Sequence, residues 1–363
     1  MVAYLGIIVV GIVVRGVDRW WFSSLRGRRR VGTLREVMAC QRERANDLTP
    51  AVLLAGHWVE WVGWCGVATY GGLWGLVAAA MAGAVKFLHL QEVSHFAVHG
   101  VLTRSSWVST VLSEAAVHAP LGFVPVPVRR ETHVRRHHPN ATVAGVDPNL
   151  AELRDAGLRP GVGAGRFALA VVSPLTPTGF AATCRTLVAN LRRGPWWRPV
   201  GFAVAPAAAG LLLGWPAAVF VFAVPRLLLY PQLAWLSLLV EHRWFDAEQA
   251  IGSPVAVEAA RCLRLYARNP LLSLLARGTW LPYGDLFHFA HSAHPAVRWN
   301  YLPALERSIG APSYAPRALL FGTSAVVPHH RRALVTRPAA QGLARSRPDV
   351  PVAASGTGMR PEG

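Results

Sequence analysis

From Ala51 to about Leu90 the chain is largely apolar and is broken only at Tyr70-Gly71-Gly72. Each half is about 19 residues, the length at which an α-helix crosses a hydrocarbon core. A second such stretch runs from roughly Val200 to Val240 and turns at Gly214-Trp215-Pro216, where glycine and proline punctuate the run. Two transmembrane helical hairpins with uncharged turns are therefore expected. Pro225-Arg226 interrupts the second, and an arginine at that depth needs a partner or a water-filled cavity.

The 363 residues are 52% hydrophobic and 15% charged, with a mean hydropathy of +0.30. That is too apolar for an ordinary soluble domain, so the fold class is read as an all-α integral membrane protein. The formal charge of +18 comes almost wholly from arginine, since Lys86 is the only lysine. Those arginines cluster at the ends of apolar runs, which argues against a nucleic-acid partner and for the positive-inside rule. Residues 26–44 and 104–136 flank the first hairpin, and Arg192, Arg193, Arg198, Arg243 and residues 261–268 flank the second. All four ends are accordingly expected on the cytoplasmic side of the cell's inner membrane.

Residues 1–49 read as an N-terminal anchor or interfacial helix followed by a basic segment. Met1 to Val14 lacks a basic leading region and is followed by Arg15, Arg19, Arg26 and residues 28–30, which suggests an uncleaved helix with its N-terminus outside. Residues 50–310 form the membrane domain, and residues 311–363 are expected to be a basic, largely disordered tail. Pro174 and Pro177 make Arg166 to Leu191 interfacial or re-entrant rather than spanning. Cys40, Cys65, Cys184 and Cys262 show no paired spacing and are read as small buried residues.

Fourteen histidines remain, and nine gather at the ends of these hairpins: His95 and His99; His133, His137 and His138; His242; His288, His291 and His294. Imidazole at that density points to metal. If the second cluster is α-helical, His133 and His137 share a face and His138 turns about a quarter-turn away, so the cluster can reach two metals. Because all the clusters fall on one side of the membrane, they can converge on one site. His57 and Glu60 lie inside a spanning helix, and their i, i+3 spacing suggests a local hydrogen-bonded pair or a tunnel lining. His118, four residues after Glu114, reads as structural.

In order and placement these clusters resemble the histidine boxes of the membrane fatty-acid desaturase and hydroxylase superfamily, which includes alkane hydroxylases. The resemblance runs from about Gln91 to Pro303. Box one, Gln91-Glu92-Val93-Ser94-His95-Phe96-Ala97-Val98-His99, has glutamine where the family's first histidine stands. Either His95 and His99 use the next turn, or His89 substitutes. Box two, H-x-x-x-H-H followed by Asn140 and Asp147-Pro148, is similar to the alkane-hydroxylase form. In box three, alignment on Pro295 and Leu302-Pro303 puts Ser292 in the third histidine's place. Either His294 takes that role or the site is one imidazole short. Glu241-His242 resembles the family's satellite pair.

The resemblance implies two iron ions, dioxygen as co-substrate, a lipid or fatty-acyl substrate, and a separate ferredoxin, rubredoxin or cytochrome as electron donor. Fatty-acyl desaturation is the activity expected. Hydroxylation of an alkane or lipid, and a non-catalytic protein with a degenerate metal site, are the alternatives. A soluble-type di-iron carboxylate site would need two Glu-x-x-His repeats, and the sequence offers only Glu92 to His95.

Overall fold

The first hairpin forms as α2 (Thr49–Tyr70) and α3 (Gly72–Val98), reversing at Gly71-Gly72, where Gly72 has φ +61°. At 27 residues, α3 is about 40 Å long, some 10 Å more than a hydrocarbon core is thick. A spanning helix of that length can carry its last turns clear of the core, and those turns bear box one. The structure is a computed structural model that describes residues 1–19, 33–248 and 250–336. Among these residues it is helical, with only isolated β-bridges. The arginines at 26 and 28–30, and the expected tail beyond residue 336, lie outside the described residues.

The N-terminal helix α1 (Val2–Arg19) packs antiparallel along the whole of α2. A Cβ on Gly63 would fall 2.6 Å from Ile8, and one on Gly56 would fall 2.6 Å from the Arg15 backbone. Small residues let the two backbones touch, which is how helices associate in lipid without a hydrophobic driving force. The second hairpin is less regular. Its first arm, α4 (Trp197–Leu213), is 17 residues with Pro206 inside, and its second, α5 (Trp215–Leu239), contains two π-helical turns. By length and apolarity α2, α3 and α5 can cross a membrane, while α4 is the shorter apolar helix.

Arg226 has the partners its depth demands. Its guanidinium donates to the Leu121 and Gly122 carbonyls and lies over the Phe123 and Tyr230 rings at 5.2 and 5.6 Å. The expected His57–Glu60 pair does not form. Glu60 turns to Arg15 of α1 and Lys86 of α3, while His57 Nε2 meets the Tyr283 hydroxyl at 2.5 Å. For Glu60 the charged partners on neighbouring helices outcompete the local one, and His57 is taken up by a tyrosine in the turn before box three.

Between the hairpins, the chain breaks at Ser173-Pro174 into helices Ala164–Val171 and Pro177–Arg192, the latter capped by Thr176. After residue 250, short segments lead to α6 (His288–Ala293). Where a tail was expected, an ordered helix α7 (Val326–Thr336) packs Ala333 and Leu334 against Leu150, Leu153 and Leu239. The basic, proline-containing composition hid an apolar stripe.

His330 of α7 is buried and bonds the Leu239 carbonyl at 2.9 Å. Burial pushes its pKa down to about 4, and burial pushes that of His118, bonded to the Val124 carbonyl and Ser94, down to about 3. The unfolded chain takes up these protons near pH 6.5 and the folded chain does not. Each histidine's contribution is thus complete above pH 6.5 and is lost as pH falls toward 3–4. Between pH 6.5 and 5 this amounts to about 2 kcal/mol per histidine. Thermal unfolding in detergent should show the loss, and His330→Gln should flatten it; an unchanged slope would rule out a buried neutral His330.

Candidate metal centre

Two groups of side chains meet where the helices end. His95, His99, His133, His138 and His291 form the first, with ligand atoms all within 4.8 Å of one another. His137, Glu241, His242 and His288 form the second to the same limit. They adjoin: the His133 and His137 rings stack at 5.3 Å, and His288 and His291 are 5.9 Å apart.

Box one enters on the last turns of α3. His95 and His99 are one turn apart, and their Nε2 atoms approach to 3.0 Å. Gln91 faces elsewhere, accepting from the Tyr230 hydroxyl, and His89 bonds the Thr279 carbonyl. The turn after the glutamine thus supplies the imidazoles, and His89 stays away. Glu92, 3.3 Å from His95 Nδ1, orients that ring, and it is in turn hydrogen-bonded by Asp285. Burial and the Glu92 charge push the Asp285 carboxyl well above its usual range, which favours the protonated form that can donate to Glu92.

Box two divides in a way that α-helical geometry does not give. Glu131–His137 is π-helical, and the His138 N–H bonds the His133 carbonyl, five residues back. One residue more per turn brings His133 and His138 onto the same side, with Nε2 atoms 3.1 Å apart in the first group, and sends His137 to the second. The expected reach to two groups holds, but the pairing is i, i+5 rather than i, i+4. Arg130 fixes this turn to the end of α3 by donating to the Val98 and Ala97 carbonyls at 2.7 and 2.9 Å.

The second group draws on three segments. Asp147 accepts from His137 Nδ1 at 2.9 Å and from the Thr142 and Asn149 backbone N–H groups. That fixes the tautomer and leaves His137 Nε2 bare. His242 Nε2 lies 3.1 Å from His288 Nε2. Glu241 completes the set, which the sequence showed only through its neighbour His242. Burial, helped by the Glu92 and Asp147 charges, pushes its carboxyl well above the usual range, a penalty that a bound cation would reverse.

His294 joins neither group. The chain leaves the helix there, with φ −141° and ψ 71°, so the residue is not carried round to the face of His288 and His291. Ser292 brings no imidazole, its hydroxyl being buried without a hydrogen-bond partner, and the second group is left with three imidazoles and a carboxylate. Cys262 is more than a small buried residue: its Sγ is 3.4 Å from His242 Nδ1 and 3.3 Å from Glu258. Glu258 is itself committed to Arg261. Arg261 also holds the His138 and Ala141 carbonyls at 2.8 and 3.2 Å.

These donors suit a metal. His137 Nε2, both nitrogens of His291, His138 Nδ1 and a Glu241 oxygen are buried without a hydrogen-bond partner, which is costly unless something binds them. Burial pushes His99, His133, His138, His242, His288 and His291 well below their usual pKa, so all are neutral, the form that ligates. Asp147→Asn should weaken metal binding at the second group roughly 10–100-fold, as read by chelator competition; unchanged affinity would show that Asp147 serves only the loop.

A search of curated proteins finds no significant match to this chain. The fatty acid desaturase family profile matches residues 74–321, which takes in the last three spanning or apolar helices and every histidine of both groups. That match covers well over half of the chain, which therefore belongs to the fatty acid desaturase family.

Proposed function

We propose that this protein holds two iron ions and uses dioxygen to oxidise the aliphatic chain of a membrane lipid, and that its reaction is desaturation of a fatty-acyl chain. The observation that carries the reading is the pair of adjoining groups, several of whose buried donor atoms have no protein partner. The metals, when bound, supply the activation of dioxygen toward an unactivated C–H bond. The chain's residues do the rest. His95, His99, His133, His138 and His291 would hold one ion, and His137, Glu241, His242 and His288 the other. Asp147 and Glu92 keep His137 and His95 in fixed tautomers. Phe96, packed on His291 at 5.6 Å, and Trp244, packed on His242 at 4.9 Å, keep water from the ligands.

Electrons come from a separate ferredoxin, rubredoxin or cytochrome, for which the exposed Arg135 and Arg136 beside box two offer a basic face. The arginines at these helix ends support a centre on the cytoplasmic side of the inner membrane. Hydroxylation is the second reading, favoured by the H-x-x-x-H-H spacing of box two.

The test is lipid profiling of cells expressing the protein or its His138→Ala variant, with iron measured on the purified chains. New double bonds that appear only with the unaltered protein support desaturation, and new hydroxyl groups support the second reading. Iron at background in folded, membrane-inserted protein would overturn both.

A further inference from the structure

We infer that the cleft between α7 and the helix Ala164–Val171 binds an anionic phospholipid, with the phosphate at Arg331 and Arg332 and an acyl chain against Phe167 and Val335. The cleft has a volume of about 370 Å³ and is lined by Phe167, Val327, Pro328, Val335, Thr336 and the two arginines. Apart from the two arginines and Thr336 the lining is apolar, and it includes no acidic side chain. Arg332 is anchored by a 2.8 Å bond to the Thr323 carbonyl, and both arginines are exposed.

The depth of the cleft decides what can occupy it. Trp235 and Gln232, in the last turns of spanning helix α5, donate to the Ala170 and Val171 carbonyls at 3.0 and 3.1 Å. His330 ties α7 to the carbonyl of Leu239, the last residue of α5. The cleft therefore lies level with the end of a spanning helix, where headgroups lie. Leu169, Val172 and Leu175 beside it are 60%, 40% and 48% exposed, an apolar rim for acyl chains. Arginines at headgroup level above an apolar rim fit an anionic amphiphile rather than a free ion.

The cleft also touches the metal centre indirectly. His329 pairs with Asp246 at 2.9 Å, and His330 packs on Phe245 at 5.3 Å. Those two residues follow Trp244, whose ring contacts both His137 and His242. A lipid that steadies α7 thus steadies the segment carrying His242.

The test uses the full chain in detergent, melted with phosphatidylglycerol, with phosphatidylcholine or with inorganic phosphate. Phosphatidylglycerol should raise the melting temperature by about 2–4 °C, phosphatidylcholine and phosphate should not, and Arg331→Gln/Arg332→Gln should abolish the shift. Lipid extracted from the purified double variant should be depleted in anionic species relative to the parent. An equal shift with free phosphate, a shift retained by the double variant, or no shift at all would overturn the assignment. Iron content is measured on the same samples, and its loss from the parent would count against the metal reading without touching this one.

Discussion

On the proposed two-iron reading, replacing His137 by alanine should remove one of the ions, whereas replacing His291 should weaken binding while leaving both. The asymmetry follows from the ligand sets. The first group has five imidazoles and keeps four without His291. The second has three imidazoles and Glu241, because Ser292 stands where a further histidine was expected, and without His137 only two imidazoles remain. Turnover should fall in both variants by at least about 100-fold, beyond the cost of losing an outer partner. Elemental analysis of folded, detergent-purified variants reads the result. Equal iron loss in the two variants would sink the division into a rich and a poor group, and full retention in both would sink the metal reading itself.

Much of this centre was legible because it depends on features that sequence carries directly. The length of an apolar run sets where a spanning helix ends, so the place of His95 and His99 at the end of α3 follows from that length alone. What the sequence hid depends on backbone geometry or on distant partners. The π-helical turn at Glu131–His137 has no residue signature, yet it decides that His133 pairs with His138. The helix stops just before His294 because Pro295 follows it, and a residue that precedes proline is driven out of the helical conformation; the histidine spacing alone does not show this. His57 and Glu60 looked like a pair because helical spacing is visible and tertiary contacts are not; Arg15, Lys86 and Tyr283 come from elsewhere in the chain. Helix α7 was missed for the opposite reason, since a short apolar stripe was outweighed by arginine and proline around it.

Arg298→Met should destabilise the fold by about 3–5 kcal/mol, the cost of leaving a buried charge without its partner. Arg298 has no exposed surface. Its guanidinium donates to Asp18 of α1 at 2.7 Å, to the Asn46 carbonyl at 3.0 Å and to Thr49 of α2 at 3.0 Å, and it lies 4.1 Å over the Trp299 ring. Asp18 also accepts from Trp299 and Asn300 at 3.1 and 2.9 Å. One side chain therefore locks α1, the start of α2 and the segment just beyond box three. Without it, Asp18 keeps two neutral donors but loses its charge partner, and neutralising Asp18 as well should recover part of the loss. A double-mutant cycle of Arg298→Met and Asp18→Asn, followed by denaturant unfolding in detergent, isolates the pair. Simple additivity would show that the two do not act together. Partial recovery, with iron returning alongside stability, would show that the N-terminal helix helps to hold box three in place from some 280 residues away in sequence.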